Sequence, residues 1–246
     1  MRIGLAVKRL LRKTGFDVIR FEPKRYPTLR RRMLLDNYAV NVVLDVGANT
    51  GQYATQLRRS GYVGRIVSFE PMRFAFDRLH QATQQDAQWQ AFNFALGEAA
   101  GETEINIAGN SISSSIRPML RSHVDSSPQS TYVGKEKIQL KTLDEVLPRV
   151  CDETDRIWLK IDTQGFEKDV LLGGMNSLLR IDTIQLEMSL VPLYEGQALF
   201  GELYTYLFDL GYRMVGIEPG FEDQASGQLL QVDGIFHRFS KSPTDS

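Results

Sequence analysis

Val-Val-Leu-Asp-Val-Gly-Ala-Asn-Thr-Gly, residues 42–51, runs from apolar, β-branched positions into a carboxylate and then into two glycines around a small polar tripeptide. A helix-like run, Gln52 to Arg59, follows. That order spells a buried strand, a tight loop and a helix start. Glycine serves such a loop because a Cβ would obstruct both a positive φ and the approach of a ligand to the backbone. A dinucleotide fingerprint needs Gly-x-Gly-x-x-Gly, whereas here Ala48 and Asn49 stand where the middle glycine would be. A Walker loop is excluded as well, since no Gly-Lys-Ser/Thr ending follows. Asp45 places a carboxylate beside the loop, which repels a pyrophosphate and suits an ammonium group.

A second strand, Arg65 to Phe69, ends in Glu70-Pro71, nineteen residues past Gly51. A carboxylate at that place can accept both hydroxyls of a ribose. An acid for an amino group, a glycine loop and an acid for a ribose diol together describe S-adenosylmethionine. The combination resembles class I methyltransferases, and Asp45 to Gly51 with Phe69-Glu70-Pro71 resembles the FkbM family of S-adenosylmethionine-dependent O-methyltransferases. The block from Arg156 to Gly174 repeats the design of strand, terminal Asp162, Gly165 and helix; its Lys-Ile-Asp-x-x-Gly-x-Glu pattern resembles the second signature of that family. The resemblance covers about Val42 to Arg238 and leaves the first forty residues outside it.

The resemblance implies an α/β fold: a doubly wound, mostly parallel seven-stranded sheet with a C-terminal antiparallel hairpin and helices on both faces. It implies S-adenosyl-L-methionine as cofactor, held by Asp45, Gly47, Asn49, Gly51, Glu70 and Asp162, with Asn93, Ala95 and Leu96 past the third strand flanking the adenine. The acceptor implied is a hydroxyl of a sugar, a glycan or another natural product. Other readings of the fold are an NAD(P)- or sugar-nucleotide-binding oxidoreductase, which lacks its glycine fingerprint and Tyr-x-x-x-Lys pair here, and a cofactor-binding module without catalysis.

Methyl transfer to a hydroxyl is an in-line displacement, so the enzyme holds the reacting atoms close and removes a proton. In an open α/β sheet the ligand lies beyond the carboxyl ends of the strands at the switch in strand order. Asp45, Glu70, Asp162 and Glu187 are all expected at such ends. Asp162 and Glu187, past the switch, are the catalytic candidates; the plainer readings are a helix N-cap for Asp162 and an arginine partner for Glu187. Two carboxylates fall short of a divalent-metal ligand set, so no metal is expected. His237 reads as an ordinary strand histidine, and His80 and His123 have no partner motif.

At 246 residues, near-average apolar and charged content fits one α/β domain with an appended segment. A lone cysteine, Cys151, precludes an internal disulfide and fits a reducing, cytoplasmic setting. The net charge of −1 conceals eleven cations against two acids in residues 1–32. That segment reads as a short basic amphipathic helix before Gly15, a linker broken by Pro23 and Pro27, and a helix from Leu29 to Tyr38. Either its apolar face caps the core, or residues 1–25 touch an anionic membrane surface, placing the protein peripherally at the inner face. No nucleic-acid module accompanies the cations. The expected organisation is a basic segment over 1–38, a methyltransferase domain over 39–240 and a polar tail over 241–246. Strand Trp89–Leu96, an irregular excursion over Arg117–Gly134 and a helix opened by Thr142 and Glu145 complete the reading.

Overall fold

The computed structural model describes residues 5–15, 22 and 26–239. The linker positions 16–21 and 23–25 and the polar tail 241–246 lie outside the described residues. In chain order the elements begin with α1 (Leu5–Lys13), α2 (Pro27–Asn37), β1 (Val42–Val46), α3 (Gln52–Arg59), β2 (Arg65–Phe69) and α4 (Arg73–Thr83). Next come β3 (Trp89–Phe92), β4 (Ala95–Leu96), β5 (Gly101–Ala108), α5 (Arg121–Ser126), β6 (Tyr132–Lys141) and α6 (Leu143–Val150). The last are β7 (Ile157–Ile161), α7 (Glu167–Leu172), β8 (Thr183–Ser189), α8 (Phe200–Asp209), β9 (Arg213–Pro219) and β10 (Gln231–His237).

Seven strands form one sheet in the order β3-β2-β1-β7-β8-β10-β9. All neighbours are parallel except β10, which runs antiparallel to both β8 and β9. Strand order reverses between β1 and β7, which sets the switch point. Because β1 and β7 are covered on both faces, every residue of each is buried rather than every second one. Leu35, Ala54, Leu57 and Leu79 of α2, α3 and α4 pack with Val43, Ile66 and Trp158 on one face. Leu147, Val170, Leu171, Leu203 and Leu207 of α6, α7 and α8 pack with Leu44, Leu159 and Leu186 on the other.

The sheet count and the terminal hairpin match the expectation, but two segments differ. The expected single strand over Trp89–Leu96 breaks at Asn93, whose side-chain amide donates to the carbonyls of Glu70 (3.0 Å) and Pro71 (2.8 Å). Beyond the break, β4 joins β6 and β5 in a separate three-stranded sheet, with Ala95 paired to Leu140. The excursion at 117–134 contains α5 and the start of β6. At six residues, α5 is too short to show a helical period, and contacts far along the chain hold it, as when Leu120 donates to the carbonyl of Leu193. The helix opened by Thr142 has the reciprocal cap with Glu145 that the sequence suggested.

Helix α2 packs on the sheet through buried Arg31 and Leu35. Arg31 pairs with Glu218 on β9, and Arg30 donates to the carbonyl of Ile217 at 2.6 Å. Residues flanking the signature blocks thereby reach the end of the sheet where the site forms.

Candidate active site

A cavity of about 590 Å³ opens at the carboxyl ends of β1, β2, β7 and β8. That size lies in the usual range for small-molecule sites. Its first wall follows β1. Gly47 (φ +77°) and Asn49 (φ +47°) turn the chain sharply. At Gly47 a Cβ would lie 1.8 Å from the carbonyl oxygen of Asp162, so glycine is required by the packing of two strand ends as well as by φ. Gly51 (φ +86°) caps α3, but it lies behind the wall, where a Cβ would meet the ring of Trp89.

Glu70, 3% exposed, forms the second wall at the end of β2. Its two carboxylate oxygens accept from the backbone N–H of Asn49 and of Met72, each at 2.8 Å. Each oxygen retains a second lone pair for a ligand. Burial pushes this carboxyl up to about 7, against the pull of those two hydrogen bonds. Phe69, Ala95, Leu96, Ile105 and Ile116 add apolar surface beside it. Asn93, expected here, does not line the cavity; it braces the backbone of Glu70 and Pro71 instead.

Asp45 corrects the sequence reading most clearly. It is 0% exposed and absent from the wall, and the Nζ of Lys160 stands 3.3 Å from it. The carboxylate expected to await a ligand's ammonium already faces an ammonium of the chain itself. The cause is strand register: Ser68, Asp45, Lys160 and Gln185 are successive partners across β2, β1, β7 and β8. Lys160 also lies 3.3 Å from Asp162. Burial opposes its charge, but Asp162 and Asp45 more than offset that and hold the ammonium pKa above its ordinary value. Burial dominates at Asp45 and moves its carboxyl upward despite Lys160.

Asp162 and Glu187 both line the cavity and share one partner. The side-chain nitrogen of Gln164 donates to Asp162 Oδ1 at 2.8 Å and to Glu187 Oε2 at 2.7 Å. Glu187 Oε2 also accepts from Gln231 at 2.9 Å. Glu187 is therefore held by amides and not by an arginine, and its carboxyl is raised well above the ordinary range by burial and then by Asp162, Glu167 and Asp233. Asp162 is not a helix cap; α7 begins after Phe166, which makes no side-chain cap. Glu167 serves that turn instead, accepting from the N–H of Thr163 (2.9 Å) and of Gly165 (3.1 Å).

Several further residues line the wall. Gln164 sits at φ +56° and accepts from the Tyr194 hydroxyl at 2.7 Å. Arg31, Tyr53, Gln185, Gln231 and Asp233 line the side under α2 and α3, with Tyr53 donating to Gln185 at 2.8 Å. His123, almost wholly buried between Tyr194 and Phe221, also lines the cavity, and burial lowers its pKa to about 4. Lys160, also on the wall, had a local signal: a lysine inside Ile-Trp-Leu-Lys-Ile must find acids if that strand is buried. His237, by contrast, bonds Thr183 and stacks on Tyr38, away from the cavity. Among the described residues no cluster of three or more His, Cys, Asp or Glu could hold a metal ion.

A reversed strand order with an antiparallel last strand, and a cavity at the switch point, define the class I, Rossmann-like methyltransferase fold. Residues 45–214 match the family model described as Methyltransferase FkbM domain, and the chain belongs to that family. The 2-O-methyltransferase NoeI of Sinorhizobium fredii (strain NBRC 101917 / NGR234) is 26% identical over 164 residues, 63% of this chain and 66% of that relative. The match thus spans just under two thirds of the relative's length. Among solved structures, magnesium protoporphyrin IX methyltransferase (ChlM) from Synechocystis PCC 6803 with bound SAM aligns at 10% identity and a TM-score of 0.45, covering 96% of this chain and 92% of its own. TehB from Haemophilus influenzae aligns at 10% identity and a TM-score of 0.45, covering 85% and 62%.

Proposed function

We propose that the protein transfers a methyl group from S-adenosylmethionine to a hydroxyl of a sugar, glycan or natural-product acceptor. The observation that carries the reading is Glu70: a buried carboxylate at the end of β2, tied to the glycine loop and open to the cavity, with a free lone pair on each oxygen. The residues present fit the cofactor. Glu70 would accept the ribose hydroxyls, Gly47 and Asn49 would pass close to the amino-acid end, and Ala95 and Leu96 would flank the adenine. When bound, the sulfonium supplies an electrophilic methyl carbon.

The chain's own part is to orient and to exclude water. Lys160 neutralises Asp45 and steadies Asp162, and Gln164 fixes Asp162 relative to Glu187. Asp162 would orient the methyl donor, and Glu187 would bind the acceptor. The region under α2 presents carboxylates, amides and a phenol, groups that pair with hydroxyls. The printed name of the NoeI relative, a 2-O-methyltransferase, supports transfer to oxygen.

Among the described residues no helix is long and apolar enough to cross a membrane. Helix α1, with Val7 exposed beside Arg9 and Lys13, supports peripheral contact with an anionic surface as a second feature of the same protein. Calorimetry with S-adenosylhomocysteine tests the reading, with one site per chain expected. Mass spectrometry of the host's glycans with and without the gene should then show a loss of one CH₂ from the acceptor. Absence of heat with this ligand but clear binding of a nicotinamide dinucleotide would overturn it.

A further inference from the structure

We infer that Asp233 is the base that takes the acceptor's proton. The inference rests on the methyltransferase reading above and deepens it.

Glu70 is bound by two backbone N–H groups. Asp162 is held by Lys160 and Gln164, and Glu187 by Gln164 and Gln231. Among the described residues no hydrogen bond reaches the carboxylate of Asp233, which nevertheless lines the cavity. It is thus the wall carboxylate left to receive a hydroxyl. In register on β10, Asp233 stands between Glu187 on β8 and Glu218 on β9, so three acids follow one another across three strands. Partners opposite each other share a face of the sheet.

The charged and titratable groups facing it are Glu187 and Glu218 beside it, Asp162 and Lys160 on the β7 side, Arg31 from α2 and Tyr53 from α3. Burial, followed by the charge of Asp162, raises its carboxyl to about 6, where a general base works best near neutral pH. Glu218 is taken by Arg31, and Lys160 by Asp45 and Asp162, so neither cation is spent on Asp233 alone. Arg31, Phe221, Gln231 and Asp233 all line the cavity and all lie outside residues 45–214.

In the step proposed, the acceptor O–H bond breaks and its proton passes to the Asp233 carboxylate. The oxygen's electron pair forms the O–CH₃ bond, and the C–S pair stays on the departing thioether.

The test uses the full chain, tritiated S-adenosylmethionine and a glycan extract of the host. Asp233→Asn should lower methyl transfer at least 100-fold on general-base arithmetic, while S-adenosylhomocysteine affinity changes less than twofold. Asp233→Ala should regain part of its rate with added formate, which a merely structural residue would not allow. Carboxyl ¹³C titration should show a resonance near pH 6 that is absent from Asp233→Asn. Near-normal transfer by Asp233→Asn, or no rescue by formate, overturns the inference, as does a larger loss in His123→Gln. A wild type that binds no S-adenosylhomocysteine overturns the underlying reading, and this inference with it.

Discussion

Glu70→Gln separates binding from folding, because the substitution should weaken the first and leave the second nearly unchanged. The wild-type carboxyl sits at about 7 in the folded protein against an ordinary 4.5, with burial as the main cause. An acid raised on folding gives up stability as pH climbs from about 4.5 through about 7. At about 1.4 kcal/mol for each tenfold, ionised Glu70 costs the fold about 3 kcal/mol above neutral pH. The amide removes that cost, but it offers one carbonyl oxygen to two donors, Asn49 N and Met72 N. One N–H left facing an NH₂ costs about 1–3 kcal/mol. The two effects nearly cancel, so the variant should melt within a few degrees of wild type at pH 8.

Binding should not survive as well. Two charge-assisted hydrogen bonds to a ribose diol contribute about 1.5–3 kcal/mol each, so S-adenosylhomocysteine should bind at least tenfold more weakly. The wild type should also bind about tenfold more tightly at pH 8 than at pH 6, since the ionised fraction rises by that factor across a pKa near 7. Calorimetry in buffers of different ionisation enthalpy reads both affinity and proton release. Affinity that is flat from pH 6 to 8, together with a Glu70→Gln variant within threefold of wild type, would refute the assignment of Glu70 to the ribose.

Gly47→Ala should lower the melting temperature by about 6 °C or more, because a Cβ 1.8 Å from the Asp162 carbonyl forces two strand ends apart at a cost of about 3 kcal/mol; calorimetric melting checks it, and an unchanged midpoint counts against the close approach. Asp162→Asn and Glu187→Gln should each reduce methyl transfer roughly 100-fold with the fold retained, because donor and acceptor lose their alignment, and a variant that melts early yet methylates at the wild-type rate would restrict that acid to a structural role. Deleting residues 1–25 should abolish co-sedimentation with anionic vesicles, which in the full chain should fade as salt rises; unchanged sedimentation assigns the contact elsewhere.

What the sequence determined alone was whatever depends on neighbours along the chain. The run Val42–Val46 is apolar enough to be buried on both faces, and the glycines after it end the strand, so strand, loop and helix could be placed without any distant contact. The same holds for Glu70 after β2, for the Asp162 loop after β7 and for the reciprocal cap at Thr142, whose partner is three residues away. These elements positioned Gly47, Asn49, Glu70, Asp162 and Glu187 at one edge of a sheet.

Only the tertiary structure decided which groups meet there. Asp45 and Lys160 are 115 residues apart and become neighbours because β1 pairs with β7 in one register; a shift of one residue would send Lys160 to the opposite face. Gln164 reaches two carboxylates only from a left-handed backbone conformation held by Tyr194 and Ser115, a constraint that no local pattern encodes. Asp233 and Arg31 come from opposite ends of the chain and meet because α2 docks over β9 and β10. Periodicity reports which face of an element is apolar, but the pairing of polar side chains depends on register and docking, and those follow from the packing of the whole core.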